Sequence, residues 1–204
     1  ESLLEAHGVP AWDANDPIKL MGWTEATTRP LFEEALNRDK ASLIVNALGT
    51  PPKDLVDRAH ERGKLVGALT GKPKHVESHK VAGVDIIIAN GAEGGGHVGE
   101  IGSIVLWPQL VDAAAPLPVL AAGGIGNGRQ ILAALASGAQ GVWTGSMWLT
   151  VEEAQAEPAQ KQSLLDASSE DTVVTRSWTG KRARVLNNDW NKSWENQSEL
   201  KPLG

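Results

Sequence analysis

The sequence predicts an α/β fold built on parallel strands, and three observations carry that expectation. Five apolar runs recur without polar alternation, as strands covered on both faces require. They begin at residues 42, 64, 84, 118 and 141, so successive starts lie 22, 20, 34 and 23 residues apart. That spacing leaves room for a helix between strands and is too long for hairpins. Glycine gathers where the later strands end: thirteen of the 22 glycines lie between Gly91 and Gly145.

The elements follow in order. Residues 1–27 are polar and rich in turn-forming residues, and read as a loop or lid with a short helix. A helix around Arg29–Lys40 precedes the first strand, Ser42–Leu48. Pro51-Pro52 opens the next helix, with Leu55, Val56, Ala59 and His60 near one face and Gly63 placed to end it. The second strand is Lys64–Leu69, and Pro73 and Gly83 bracket the helix after it. Val84–Ala89 is the most apolar strand, and Pro118–Ala122 the fourth. Gln130–Ser137 is the clearest helix, bounded by Gly126-Asn127-Gly128 and Gly138, and it leads to the last strand, Gly141–Thr144. After Thr150 the rhythm stops. A helix over 151–167 would be interrupted at Pro158, and the last forty residues read as polar, tryptophan-bearing and irregular. The expected organisation is a lid at 1–27, β/α units over 28–150, and a C-terminal extension, 151–204, packing on them.

Composition narrows the function. With 41% hydrophobic and 22% charged residues, 204 residues can bury a real core. A net charge of −6 argues against a nucleic-acid partner or an anionic membrane surface. The absence of cysteine excludes disulfides, thiolate metal sites and a cysteine nucleophile. No apolar run approaches the ~20 residues of a membrane span, so a cytoplasmic protein with a small-molecule partner is expected. The chain begins with Glu1 rather than methionine, which reads as a fragment or processed product.

Two glycine clusters carry the chemistry. Ala121-Ala122-Gly123-Gly124-Ile125-Gly126-Asn127-Gly128 is a strand end, a glycine turn and a helix start, and Trp143-Thr144-Gly145-Ser146 ends the next strand. Neighbouring strand ends with free amides, a hydroxyl and a helix N-terminus suit a phosphate; the other reading is a pair of tight βα turns. A dinucleotide fingerprint is incomplete, because Arg129 stands where its third glycine belongs. The second cluster, Asn90-Gly91-Ala92-Glu93-Gly94-Gly95-Gly96-His97-Val98-Gly99-Glu100, sets a histidine in a run too flexible for a helix. His97 is either a general acid/base near pH 7 or a loop histidine bonded to a carbonyl. A metal site from Glu93, His97 and Glu100 matches no ligand spacing, and His75 with His79 reads as an exposed helix face before a metal pair. Trp107, Trp143 and Trp148 fall near the inferred site, while Trp178, Trp190 and Trp194 in the tail suggest a docking surface.

At these clusters the sequence resembles the nitronate monooxygenase family, formerly called 2-nitropropane dioxygenases. The match runs through Asn90–Gly99, Pro118–Ile125, Gly138–Ser146 and Arg176–Arg184, covering about residues 40–188. The resemblance implies an FMN-dependent (β/α)8 TIM barrel, and related flavin enoyl-thioester reductases carry a similar Gly-Gly-His segment. It implies that Gly123, Gly124, Gly145 and Ser146, with Thr144 beside them, hold the FMN phosphate. It sets Asn90 where many members have a glutamine near the flavin ring, Gly95 at a flavin-contacting glycine, and His97 at the catalytic histidine. Three departures stand out: Trp143-Thr144 in place of Gln-Met, Asn90 in place of glutamine, and a longer C-terminal region with Arg176, Lys181, Arg182 and Arg184. That basic run is either a solvated patch or a site for an anionic group such as the phosphates of a CoA thioester.

A barrel needs eight β/α units in about 250 residues, and five are legible here. The chain therefore reads as the C-terminal part of such a barrel, its partner being the N-terminal part or a second copy in a homodimer. The expected activity is oxidation of a nitronate or similar carbanion-stabilised substrate with dioxygen. The alternatives are reduction of an enoyl or acyl thioester (CoA or acyl-carrier protein) by a nicotinamide, and a non-catalytic phosphate-ligand-binding fragment.

Overall fold

A computed structural model describes residues 3–10 and 25–196 of the chain. The expected lid at 1–27 lies largely outside the described residues; within it, Leu3–Ala6 forms one helical turn, α1. The five predicted strands all form. They are β1 (Leu43–Asn46), β2 (Leu65–Thr70), β3 (Ile86–Asn90), β5 (Val119–Ala122) and β6 (Gly141–Trp143). Between and before them lie α2 (Glu25–Leu36), α3 (Lys53–Glu61), α4 (Val76–Ala82), α5 (Ser103–Ala114) and α6 (Gly128–Ala136). Gly63 and Gly83 end α3 and α4 at φ of 66° and 89°, a backbone region that costs glycine little.

The five strands form one parallel sheet in the order β1-β2-β3-β5-β6, so each lies beside its predecessor along the winding. A doubly wound sheet reverses its order at a switch point; this one never does. Uninterrupted sequential order is the winding of a β/α barrel, and the sheet is a five-strand arc of one.

The arc's outer face packs against the helices. Ile87, Leu106 and Leu110 are fully buried between β3 and α5, and Ala68, Ala89, Val119 and Ala121 continue that core along the sheet. Each large aliphatic side chain so buried contributes about 1.5–3 kcal/mol. A smaller cluster of Leu36, Val56, Ala59 and Val66 fastens α2 and α3 to β1 and β2. Arg58 on α3 adds a two-pronged bond to Glu33 on α2, with both contacts at 2.6 Å.

Three expectations need correction. Residues 103–114 form a long helix, α5, and Trp107 lies within it. Its ring is buried, 4% exposed, and its Nε1–H donates to the Ala122 carbonyl at 3.0 Å. Trp107 therefore braces the end of β5 from behind instead of facing the site.

The stretch after Thr150 is also ordered. Pro158 starts α7 (Pro158–Asp166) at its first position, where its missing N–H costs nothing. Thr172–Thr175 (β7) and Ala183–Leu186 (β8) form an antiparallel hairpin, and Asp189–Glu195 forms α8. β-Branched residues in β7 favour the strand even though its surroundings are polar.

Third, Trp190 packs against Trp194 in a tilted arrangement at 6.0 Å and meets the edge of His7 at 5.4 Å, so both are half-buried and Trp178, 60% exposed, is the most open of the three tail tryptophans. No described helix is long and apolar enough to cross a membrane.

Candidate active site

The twelve residues between β3 and α5 make an excursion over the C-terminal end of the arc. Within it Gly96–His97 forms a short strand, β4, which pairs antiparallel with β8 through Gly96↔Arg184 and His97↔Ala183. Val98 N donates to the Arg182 carbonyl at 3.1 Å, and Arg184 Nε donates to the Ala92 carbonyl at 3.1 Å. The C-terminal hairpin thereby holds the glycine-rich loop across the strand ends.

Beneath that loop lies a cavity of about 450 Å³. The eight residues that the resemblance sets at the flavin or the reaction all line it. Asn90, Gly95 and His97 come from the β3 excursion, Gly123 and Gly124 from the end of β5, and Thr144, Gly145 and Ser146 from the end of β6. Ala47, Leu48, Leu69, Ile125 and Met147 supply an apolar wall, and Trp143 adds an aromatic face.

Two close approaches explain why glycine stands where it does. A Cβ at Gly95 would collide with the Ser146 hydroxyl, so a side chain at residue 95 would force that hydroxyl to move where the loop closes onto the β6 turn. Gly124 has φ of 71°, and a Cβ there would come within 2.9 Å of Glu93 Cβ. Gly124 combines a backbone conformation that favours glycine with a close contact, and Gly95 answers to the contact alone.

The phosphate-like end is composed differently from what the sequence suggests. At α6 the first amides are already taken: Asn127 Oδ1 accepts from Arg129 N at 3.0 Å and from Gln130 N at 3.3 Å. Gln130 Oε1 accepts from Gly126 N and Asn127 N, completing a reciprocal cap. Of the helix's first amides only Gly128 N has no acceptor among the described residues, and Gly128 does not line the cavity. What remains are the backbone amides of Gly124, Gly145 and Ser146, which have no backbone acceptor among the described residues, and the Ser146 hydroxyl. Thr144 is partly engaged, since Trp148 Nε1 donates to its hydroxyl at 2.8 Å.

His97 is exposed, and its Nε2 lies 2.7 Å from Thr179 Oγ1. Asn90 Nδ2 donates to the His97 carbonyl at 3.3 Å, so Asn90 positions the backbone that carries the imidazole. Thr179 gave no signal in the sequence, because 82 residues separate it from its partner.

Glu93 and Glu100 do not gather with His97. Glu93 Oε2 lies 2.7 Å from both Ser103 N and Ser103 Oγ, and Glu100 faces Lys72 at 3.9 Å. Burial opposes ionisation of Glu93, but the Ser103 bonds and the charge of Arg184 outweigh it and hold the carboxyl below its ordinary value. The Ser103 hydroxyl is also 2.9 Å from the Gly123 carbonyl, so it ties the β3 excursion to the β5 turn. His79, expected on an exposed face, is 1% exposed, and its Nδ1 lies 3.0 Å from Thr50 Oγ1.

A family model described as nitronate monooxygenase matches residues 24–204. A Mycobacterium tuberculosis protein named as a monooxygenase is 48% identical over 100% of this chain and 55% of its own length. A Staphylococcus aureus protein named as a nitronate monooxygenase is 38% identical over 69% of this chain and 42% of its own. Among solved structures, nitroalkane oxidase from Streptomyces ansochromogenes has a TM-score of 0.78 at 28% identity, covering 94% of this chain and 56% of that one. FabK from Thermotoga maritima has a TM-score of 0.72 at 31% identity, covering 85% of this chain and 54% of that one. This chain spans about half the length of the curated relatives it matches.

Proposed function

Because the chain belongs to the nitronate monooxygenase family, a family of flavin-dependent oxidoreductases, we propose that it forms the phosphate-binding and proton-handling part of an FMN-dependent enzyme. The substrate class is a nitronate or another carbanion-stabilised small molecule, with dioxygen as electron acceptor. The observation that carries this reading is the convergence of His97 and the Gly124, Gly145 and Ser146 donors on one cavity of about 450 Å³.

The residues present fit FMN. The three backbone amides and the Ser146 hydroxyl suit its phosphate, in a cradle that a side chain at Gly95 would obstruct. Trp143 and the apolar wall suit a planar ring. When bound, the flavin supplies the redox chemistry, accepting electrons from the substrate and passing them to dioxygen.

The chain's own task is proton transfer and orientation. In the tautomer whose Nε2–H donates to Thr179, Nδ1 is the basic nitrogen of His97; it takes the α-proton of a nitroalkane or similar carbon acid, or positions a nitronate, which has already lost that proton. Asn90 fixes the backbone from which that imidazole projects.

Similarity to FabK supports a second reading, reduction of an enoyl thioester by a nicotinamide, with His97 as proton donor. Anaerobic titration of the FMN-loaded full-length protein separates the two. Flavin bleaching by nitronate and not by NADPH supports the first reading, whereas rapid bleaching by NADPH supports the second. Failure of the protein to retain FMN overturns both, and full turnover by His97→Ala overturns the role given to His97.

A further inference from the structure

A second cavity, of about 400 Å³, adjoins the first and shares Asn90 and His97 with it. Its chemistry is different. Lys72 enters from the turn after β2, and Arg176, Lys181 and Arg182 enter from the loop of the β7–β8 hairpin. Segments about a hundred residues apart in the chain thus bring four cations to one depression in a protein whose net charge is −6. Glu100 is the one carboxylate in the lining, 3.9 Å from Lys72. It offsets a single cation and leaves an excess of three positive charges.

These cations are little used by the fold. Arg176 donates to the Gly180 carbonyl at 3.3 Å within its own turn, and Lys181 makes no ion pair among the described residues. Arg182 Nε is buried and has no hydrogen-bond partner among the described residues, a state that costs free energy unless an acceptor arrives. Arg184, the fourth basic residue of the C-terminal run, is turned away to Ala92 and Thr172 and does not line the cavity.

We propose that this annex binds a phosphate or pyrophosphate group carried by the substrate, so that the substrate is anchored there while its reacting carbon lies at His97. The inference rests on the active-site reading above and deepens it by naming a substrate class: an organic phosphate ester. A lone carboxylate would leave most of the positive excess unmatched, whereas a phosphate monoester carries about −1.5 to −2 at neutral pH. Arginine also presents the forked donors that phosphate oxygens accept. The annex is separate from the flavin-phosphate donors at Gly124, Gly145 and Ser146, so both phosphates can be held at once.

The test is calorimetric titration of the FMN-loaded full-length protein with inorganic pyrophosphate, with succinate as the carboxylate control. Pyrophosphate is expected to bind more tightly than succinate, with an affinity that falls steeply with salt. Arg176→Gln/Lys181→Gln, on two exposed side chains, is expected to weaken it about tenfold or more, as loss of charge-assisted bonds implies. The titration reads binding and not turnover, so a failed catalytic reading of His97 leaves this result standing. Equal affinity for the two anions overturns the proposal, and so does binding unchanged in the double variant. If the protein retains no FMN, the same titration is made without it. Pyrophosphate binding that then responds to Ser146→Ala and not to the double variant belongs to the flavin cradle and also overturns the proposal.

Discussion

His97 Nε2 lies 2.7 Å from Thr179 Oγ1, a contact between the glycine-rich excursion after β3 and the loop of the C-terminal hairpin. Because β4 pairs with β8, the hairpin fixes both the backbone of His97 and one of its ring nitrogens. A hydrogen bond on one nitrogen decides which nitrogen is left to act as base. Thr179 therefore orients the imidazole proposed as the acid/base group.

Thr179→Val removes that partner while keeping the side-chain shape. The expected result is a fall in kcat of about tenfold, the worth of one hydrogen bond to a working group, with FMN affinity unchanged. Thr179→Ser, which keeps the hydroxyl, restores kcat. A loss that Ser fails to restore would show that the residue serves packing alone.

Gly95→Ala is expected to weaken FMN binding and lower Tm, because the new methyl strikes the Ser146 hydroxyl. Removing that hydroxyl relieves the clash: the same Cβ lies 3.8 Å from Ser146 Cβ, an ordinary contact. In the double variant Gly95→Ala/Ser146→Ala, Tm should therefore recover toward that of Ser146→Ala. FMN affinity is expected to stay weak, since the hydroxyl proposed to hold its phosphate is gone. Additive losses in Tm across this cycle would contradict the close approach.

The strand ends were legible in the sequence because their glycines answer to contacts that only glycine can make, as Gly95 and Gly124 show. Apolar runs located the strands because both faces of each inner strand are covered. Helix α5 was hidden by Pro108, which sits in its interior and reads as a break. β7 and β8 were hidden by their four-residue length, below what alternation can report. Thr179 and Lys72 could not be paired with His97 from sequence, since their meeting depends on how the hairpin folds back over the strand ends. The same fold-back separated Arg184 from the basic residues beside it in the chain.

Glu93 offers a test of how the two glycine clusters are joined. Its carboxylate accepts from Ser103 N and Oγ, and Ser103 in turn reaches the Gly123 carbonyl. Its pKa is lowered in the folded state, so the added stability is present above its ordinary value of 4.5 and is lost as pH falls through the folded value. Glu93→Gln is expected to cost about 1 kcal/mol at pH 7, kept small because the side chain is exposed. Urea midpoints of parent and variant should converge as pH is lowered from 4.5. A gap that widens on acidification would show that the carboxylate is not the stabilising form.

His79 has the opposite dependence on its charged form. Burial chiefly, and the neighbouring charge of His75, lower its pKa below the ordinary 6.5, so the folded protein disfavours its charged form. The unfolded chain takes up a proton near pH 6.5, where the folded chain resists it. Below that pH the unfolded state therefore binds more protons, and stability falls as pH drops from 6.5 toward the folded value. Glu, Asp and the other histidines also titrate on acidification, so the His79 share is read as a difference between proteins. His79→Gln has no such group to charge. Its urea midpoint should decline less than that of the parent between pH 7 and pH 5, even if the variant is less stable at pH 7 through loss of the Thr50 contact. Parallel declines would mean that His79 is protonated as readily in the folded protein as in the unfolded one, and that its burial beneath Thr50 is not what the geometry implies.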